Sequence, residues 1–370
     1  NKVLTISPGY NPESQIFFDM DETIAFPEIS KAPNDYEIRL ARYIIDEYLF
    51  NGFQFASKAD YANAFSLFLL FFVLDIVDGP TPLHVVESAE YGSGKTYLIR
   101  CIIYSIGGMI YRESTLPNSE AELRRQLFAE LLLLNPYMLF ENLNEHVTVD
   151  SAELAQALTG VSKSGRLLGK SQIIDLKLKL IWISTGINVS LSKELKRRSI
   201  QIKLIKPDSF PDEDRLAIVK ENRDKILWAG LTICQAHFSQ GCEKGRRLLP
   251  SFNRWSSLMD GILKTAGVKG FLDNQEAFMN AADPEFDSQV EFVTAWHRIF
   301  GTRKVLSRDL IRLISDEKLS IQIEGRSDVQ KAVNLGFLLR RVKGRRFGRH
   351  TIKDAGTRSG SRLWCLIETI

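Results

Sequence analysis

The sequence predicts an α/β fold: a parallel-sheet core, a helical segment after it, and a small basic domain at the C-terminal end. Three observations carry that expectation. The apolar run Leu83-His84-Val85-Val86 leads into Ala89-Glu90-Tyr91-Gly92-Ser93-Gly94-Lys95-Thr96 and then Tyr97–Ile103, in the order strand, glycine-rich loop, helix. Two later apolar runs, Tyr137–Phe140 and Leu178–Ile183, end in the polar tips Glu141-Asn142 and Ser184–Asn188. Residues 301–370 hold 16 Lys+Arg against 7 Asp+Glu, a balance of +9 within a chain of net charge +3.

A chain of 370 residues allows two or three domains. The expected boundaries are an N-terminal extension with a linker helix at 1–57, the sheet core at 58–210, a helical segment at 211–300 and the basic domain at 301–370. Hydrophobic content of 44% with 25% charge is ordinary for a globular protein and excludes a disordered chain. Cys101, Cys234, Cys242 and Cys365 form no disulfide framework, which fits a reducing, cytoplasmic location. The most apolar run, 62–77, contains Asn63, with Asp60, Asp75 and Asp78 nearby, so it reads as a buried helix and no membrane span is expected. No signal peptide is visible at Asn1, and a start without Met suggests a piece of a longer protein.

In chain order, 1–35 reads as an irregular or hairpin segment. Its Asp19-Met20-Asp21-Glu22-Thr23 is similar to the nucleophile motif of haloacid-dehalogenase-type phosphatases, with a solvated acidic turn as the plainer reading. Helices are expected over 36–55 and 58–77, broken by Asp78-Gly79-Pro80-Thr81-Pro82. The glycine-rich loop then has the residues a phosphate cradle needs. Backbone N–H groups of Gly92, Ser93 and Gly94 can turn inward where no bulky side chain intervenes, and the helix start adds positive potential. Lys95 would reach β- and γ-phosphates and the Thr96 hydroxyl would bind Mg²⁺; Ala89 stands where the first glycine of the pattern is usual.

Ser119 is the expected N-cap of a helix to about Leu134, with Glu122 at capping-box spacing. Glu141, at a strand tip, would complete the Mg²⁺ shell. Asn142 follows where a catalytic Glu is often found. An amide cannot accept a proton as a base, so it would orient water, or Glu145 would contribute. Ser162 to Lys170 reads as a basic loop with Lys163, Arg166 and Lys170 as its cations, which would contact DNA. Asn188 would contact γ-phosphate or the attacking water, and Arg197 and Arg198 stand before the strand Ile200–Leu204.

This order of motifs resembles an AAA+ P-loop ATPase core with a helical lid and a C-terminal winged-helix domain. More narrowly it is similar to replicative helicases of mobile genetic elements: MCM-like cassette helicases, pathogenicity-island initiators and superfamily 3-like phage and plasmid helicases. The segments carrying the likeness are Pro8–Pro12, Asp78–Pro82, Leu139–Asn142, Leu158–Gly160 with Arg166–Gly169, Ser184–Asn188, Leu195–Arg198 and Ala266–Leu272. Departures are Glu141 for Asp, Ala89 for Gly, and Ile187 where Asn often stands. The resemblance implies ATP as substrate, a homo-oligomeric and hexameric ring, and an arginine finger at Arg197 or Arg198 reaching the neighbouring subunit. It also implies a nucleotide-sensing arginine in the lid, for which Arg254 is the candidate, with Arg246 and Arg247 as competitors.

The basic domain has helices expected from Ser307 to Ser315 and from Ser327 to about Arg341, then two strands that would form a wing. Leu335, Leu338 and Leu339 would face its core. Lys331, Arg340, Arg341, Arg345, Arg346 and Arg349 would contact DNA. A DNA helicase or translocase is the leading expectation, and a nucleotide-switched initiator or loader without unwinding activity is the second.

Overall fold

The computed structural model describes residues 9–11, 16–18, 28–108, 113–117, 119–143, 148–166, 172–209, 213–243, 245–281, 284–344, 346–347, 349–358 and 361–368. Two compact units result: Asn1–Glu145 with Val149–Asn280, and Ala281–Ile370 with His146–Thr148. The Asp19 and Asp21 motif, Glu145, Lys170 and Arg345 lie outside the described residues.

The first unit opens with a ribbon of β1 (Gly9–Asn11) and β2 (Ile16–Phe18), paired antiparallel. Helix α1 (Asp35–Ile45) starts from Asn34, whose side chain accepts from the Tyr36 and Glu37 N–H groups while Glu37 accepts from the Asn34 N–H. It ends in a π-helical turn at Asp46–Phe50, so the helix expected over 36–55 is shorter. Helix α2 (Lys58–Val73) is apolar nearly all round and buried nearly all round. Among its buried polar residues, Asp60, Asn63 and Ser66, Asn63 has three partners. The amide donates to the Gln201 carbonyl (2.8 Å) and to Asn274 Oδ1 (3.1 Å) and accepts from the Leu272 N–H (3.1 Å).

Then follow β3 (Leu83–Ser88), α3 (Lys95–Gly107), α4 (Glu120–Leu132) and β4 (Tyr137–Leu143). Ser119 holds the N-cap position of α4, but its side chain makes no capping bond. The expected capping box is absent because Glu122 turns to Arg125 (2.6 Å). Next come α5 (Ala152–Thr159), β5 (Ser162–Arg166), β6 (Ile173–Lys177), β7 (Ile181–Ile187), α6 (Lys193–Lys196) and β8 (Ser199–Lys203). Residues Ser162–Arg166 of the segment expected as a basic loop are thus one arm of an antiparallel pair, β5–β6. Gly165 is required there: a Cβ would stand 2.3 Å from the Phe128 ring of α4.

Strands β4, β7, β3 and β8 form, in that order, a four-stranded parallel sheet. Alternation sends Leu83 and Val85 to one face, in a core with Leu123, Leu127, Leu154 and Trp182. Val86, Ile183 and Ile202 face the other way, among Phe65, Leu69, Ile102, Trp228 and Trp255. Burial on both faces explains why these strands read as continuous apolar runs. Helices α7 (Arg215–Glu221), α8 (Arg223–Ser239), α9 (Asn253–Thr265) and α10 (Gln275–Asn280) complete the unit. Trp228 and Ile233 of α8 and Trp255 and Met259 of α9 share one core with α1 and α2, so these helices are continuous with the sheet core.

His84 of β3 is fully buried, with Nδ1 3.1 Å from the Trp182 carbonyl oxygen and its ring edge-on to Trp255. Burial pushes its pKa down from 6.5 to about 4. The unfolded chain therefore takes up a proton that the folded chain refuses between those values. Folding stability should fall by about 1.4 kcal/mol for each pH unit lowered through that window. Chemical denaturation of the parent and His84→Gln checks this: the variant should lack that part of the slope, and equal slopes would refute it.

The second unit contains α11 (Pro284–Phe300), β9 (Val305–Leu306), α12 (Ser307–Asp316), α13 (Asp328–Arg341), β10 (Arg346–Phe347), β11 (His350–Arg358) and β12 (Ser361–Glu368). Its antiparallel sheet has the order β10-β11-β12-β9. Phe292, Val293 and Trp296 of α11 pack with Leu310, Leu335, Leu339 and Trp364. Helix α11 therefore belongs to this unit's core, although the sequence pattern groups 284–300 with the preceding helices.

Candidate functional site

Strand β3 delivers the glycine-rich loop to the carboxyl edge of the parallel sheet. Gly92 (φ 78°) and Gly94 (φ 84°) adopt left-handed backbone, which any side chain would strain. Ala89 is not among the described residues of positive φ, so its methyl group costs nothing there. Gly94 precedes α3 and caps it without a side chain, leaving first-turn N–H groups facing the loop. Lys95 folds back across this cup. Its Nζ donates to Ser88 Oγ (2.7 Å), Ser93 Oγ (3.2 Å) and the Glu90 carbonyl oxygen (3.4 Å). These partners are neutral oxygens. Burial lowers the Lys95 pKa, and the Glu87 carboxylate opposes that shift. A partly desolvated ammonium held by neutral groups beside a helix N-terminus fits an incoming polyphosphate. Thr96 is half-buried in the first turn of α3.

The neighbouring strand tips complete the edge. Strand β7 lies between β3 and β4, and the β4–β7 register shifts between Phe140 and Leu143, where Glu141 and Asn142 sit. Glu141 is buried, whereas Asn142 is exposed with φ 54° and donates its N–H to Thr185 Oγ1 (3.2 Å). Asn188 is exposed with φ 42°, and its N–H donates to the Ser88 carbonyl oxygen (3.0 Å), which holds the β7 tip at the root of the glycine-rich loop. Sequence reasoning missed Glu87. Its carboxylate accepts from the Val189 N–H (2.8 Å) and from the Gln201 side chain, tying β3 to both neighbours. An acid inside an apolar strand was the available signal. The connection from β3 runs toward β4, and the one from β7 crosses β3 to reach β8. A crevice at such a switch point, outside the carboxyl ends of the strands, is where open α/β sheets bind ligands.

The two arginines before β8 differ. Arg197 is half-exposed and grips Glu194 through Nε (2.7 Å) and Nη2 (2.6 Å). Arg198 has 12% of its side chain exposed and is anchored to the Glu194 carbonyl oxygen (3.0 Å) and carboxylate. The Arg197 hydrogen bond leads in holding the Glu194 carboxyl below its ordinary range.

Arg254 pairs with Asp78, just ahead of β3, and lines a cavity of about 710 Å³ with Gly79, Pro80, Leu178 and Lys179. That is the amino edge of the sheet, a strand length from the glycine-rich loop, so Arg254 does not reach a nucleotide held there by the same chain. Arg246 is committed to Asp260 (3.2 Å).

Lys163 is also not a free cation. It pairs with the buried Glu153, which Arg124 contacts as well (2.8 Å). The Arg166 backbone belongs to β5. In the second unit, Leu335 and Leu339 of α13 are buried and Leu338 is half-buried. Arg340, Arg341 and Arg349 are exposed and Lys331 is half-buried. The Arg340 guanidinium lies 5.5 Å from the Phe337 ring centre. The Arg346 backbone forms part of β10. No described helix is long and apolar enough to cross a membrane.

No protein family matches the sequence, and no curated protein does. Among solved structures the chain is similar to the apo A form of the NrS-1 C-terminal region, at 9% identity and TM-score 0.40, over 97% of this chain and 83% of that one. It is similar to the active helicase Cch of SCCmec type IV, at 10% identity and TM-score 0.34, over 92% of this chain and 71% of that one. It is similar to the JCV helicase at 14% identity and TM-score 0.27, over 68% of this chain and 70% of that one. At these TM-scores no residue correspondence is drawn, and the site residues stand on their own geometry.

Proposed function

We propose that this chain is an ATP-dependent DNA helicase or translocase that acts in replication of a mobile genetic element as a homohexamer. The observation that supports it most is the Lys95 ammonium, poised over the glycine-rich loop on neutral hydroxyls at the edge where Glu141 lies near the end of β4 and Asn188 follows β7. In this reading Lys95 exchanges the Ser88 and Ser93 hydroxyls for phosphate oxygens and stabilises the charge that grows on them during hydrolysis. Thr96 and Glu141 would hold Mg²⁺, which supplies further charge neutralisation. Asn188 and Asn142 orient the attacking water through their amides. Arg197, the more exposed of the pair, serves the neighbouring subunit.

The β5–β6 hairpin is the element proposed to grip DNA, through Arg166 and Lys170. The second unit is proposed as a winged helix, with α13 entering a groove and Arg345, Arg346 and Arg349 by the wing. Arg340→Ala with Arg341→Ala should weaken duplex binding and flatten its salt dependence by about 0.9 in logarithmic slope for each phosphate no longer neutralised. ATPase activity should stay near the parent's. Fluorescence anisotropy across a salt series reads this, and an unchanged slope would indicate a protein-binding module instead.

Asn142 favours a second reading, a nucleotide-switched initiator or loader, because no side-chain base stands at that tip position. Strand displacement measured beside ATP turnover separates the two. DNA-stimulated turnover with unwinding supports the motor, and nucleotide and DNA binding without either supports the scaffold.

A further inference from the structure

The second unit contains a side-chain cluster unrelated to the glycine-rich loop and its neighbours. His297 comes from the last turn of α11, His350 opens β11 and Glu368 closes β12. His350 and Glu368 are directly opposite each other in the antiparallel pairing. The two imidazole rings lie 4.1 Å apart at 33°. His297 Nε2 is 3.7 Å from Glu368 Oε1, and one donor atom from each of the three residues falls within 4.8 Å of the others. Ligands about 2.0–2.1 Å from a tetrahedral Zn²⁺ stand roughly 3.3 Å apart, so the histidine–carboxylate spacing needs only a small closure.

We propose that His297, His350 and Glu368 bind a divalent transition metal, Zn²⁺ by chemistry, with the fourth position open to water. Two imidazoles and one carboxylate suit Zn²⁺ and related borderline ions and not the all-oxygen shells of Mg²⁺ or Ca²⁺. The alternative is an imidazole pair stacked for packing with a carboxylate at its rim. Packing alone does not require three donors from three elements to converge. A bound ion would pin the end of α11 to both long strands, so binding would add to the stability of this unit.

The test uses the full chain, stripped with chelator and then titrated with Zn²⁺, in calorimetry and thermal unfolding. One equivalent should bind and raise Tm, and Mg²⁺ at the same concentration should not reproduce that transition. Co²⁺ in place of Zn²⁺ should show visible d–d bands that Zn²⁺ displaces. Glu368→Gln and His350→Asn should each weaken this binding by more than about tenfold, since losing even an outer partner of a ligand costs 10–100-fold. The Glu368 side chain is 69% exposed, so Glu368→Gln retains the fold and decides the question if His350→Asn does not fold. Absence of Zn²⁺ binding by the parent, or equal affinity in Glu368→Gln, would overturn the proposal.

Discussion

Lys95→Ala should abolish ATP hydrolysis, with a loss on the order of 10²–10³ or more. The loop between β3 and α3 carries no cation of its own, so the Lys95 ammonium at the start of α3 supplies its positive charge, and nothing in Ala replaces it at Ser88 or Ser93. The change should not harm the fold. Burial already costs this ammonium part of its solvation, and its partners are two hydroxyls and a carbonyl oxygen that can bind water once it has gone. Turnover measured at saturating ATP, with circular dichroism and duplex binding as controls, checks the prediction. Turnover within a few-fold of the parent would refute the phosphate assignment.

Arg197→Ala should produce the second large effect, a loss of turnover on the order of 10³ with much of the nucleotide affinity kept. The structure gives this variant a partner for comparison. Arg198 is largely covered and bonded to backbone, so Arg198→Ala should lower Tm, whereas Arg197→Ala should leave it near the parent value. Under the proposed shared site, mixing Arg197→Ala with Lys95→Ala should restore part of the activity, with one subunit supplying the finger and its neighbour the loop. Turnover and Tm are the readouts. Mixed assemblies without recovery would argue against a site shared between subunits.

Much of the first unit's sheet was legible from local pattern. Leu83–Val86 and Leu178–Ile183 are long apolar runs, and both are buried strands or lead into one. The glycine-rich loop was legible because Gly92 and Gly94 mark backbone that other residues avoid. Three things were not. The β5–β6 hairpin was read as a loop because Ser162–Arg166 is polar, and only its pairing with β6 and the close approach of Phe128 to Gly165 make it a strand. The place of Arg254 depends on which end of the sheet α9 reaches, and periodicity does not encode that. The role of Glu87 depends on Val189 and Gln201, which are distant in sequence and adjacent only across three strands.

The burial of α2 bears on orientation more than on strength. The hydrophobic effect has no direction, so a helix apolar on every side gains nearly as much at one rotation about its axis as at another. Asn63 removes that freedom, because its bonds to Gln201, Asn274 and Leu272 exist at one rotation only. Asp60, one turn earlier, adds the Lys203 N–H and the Asn274 amide. The residue that interrupts the most apolar run in the chain is thus the one that selects a single arrangement from many of similar energy. The angular position of the central helix beneath β8, and with it the placement of the strand that follows Arg197 and Arg198, is set by one amide and one carboxylate a turn apart.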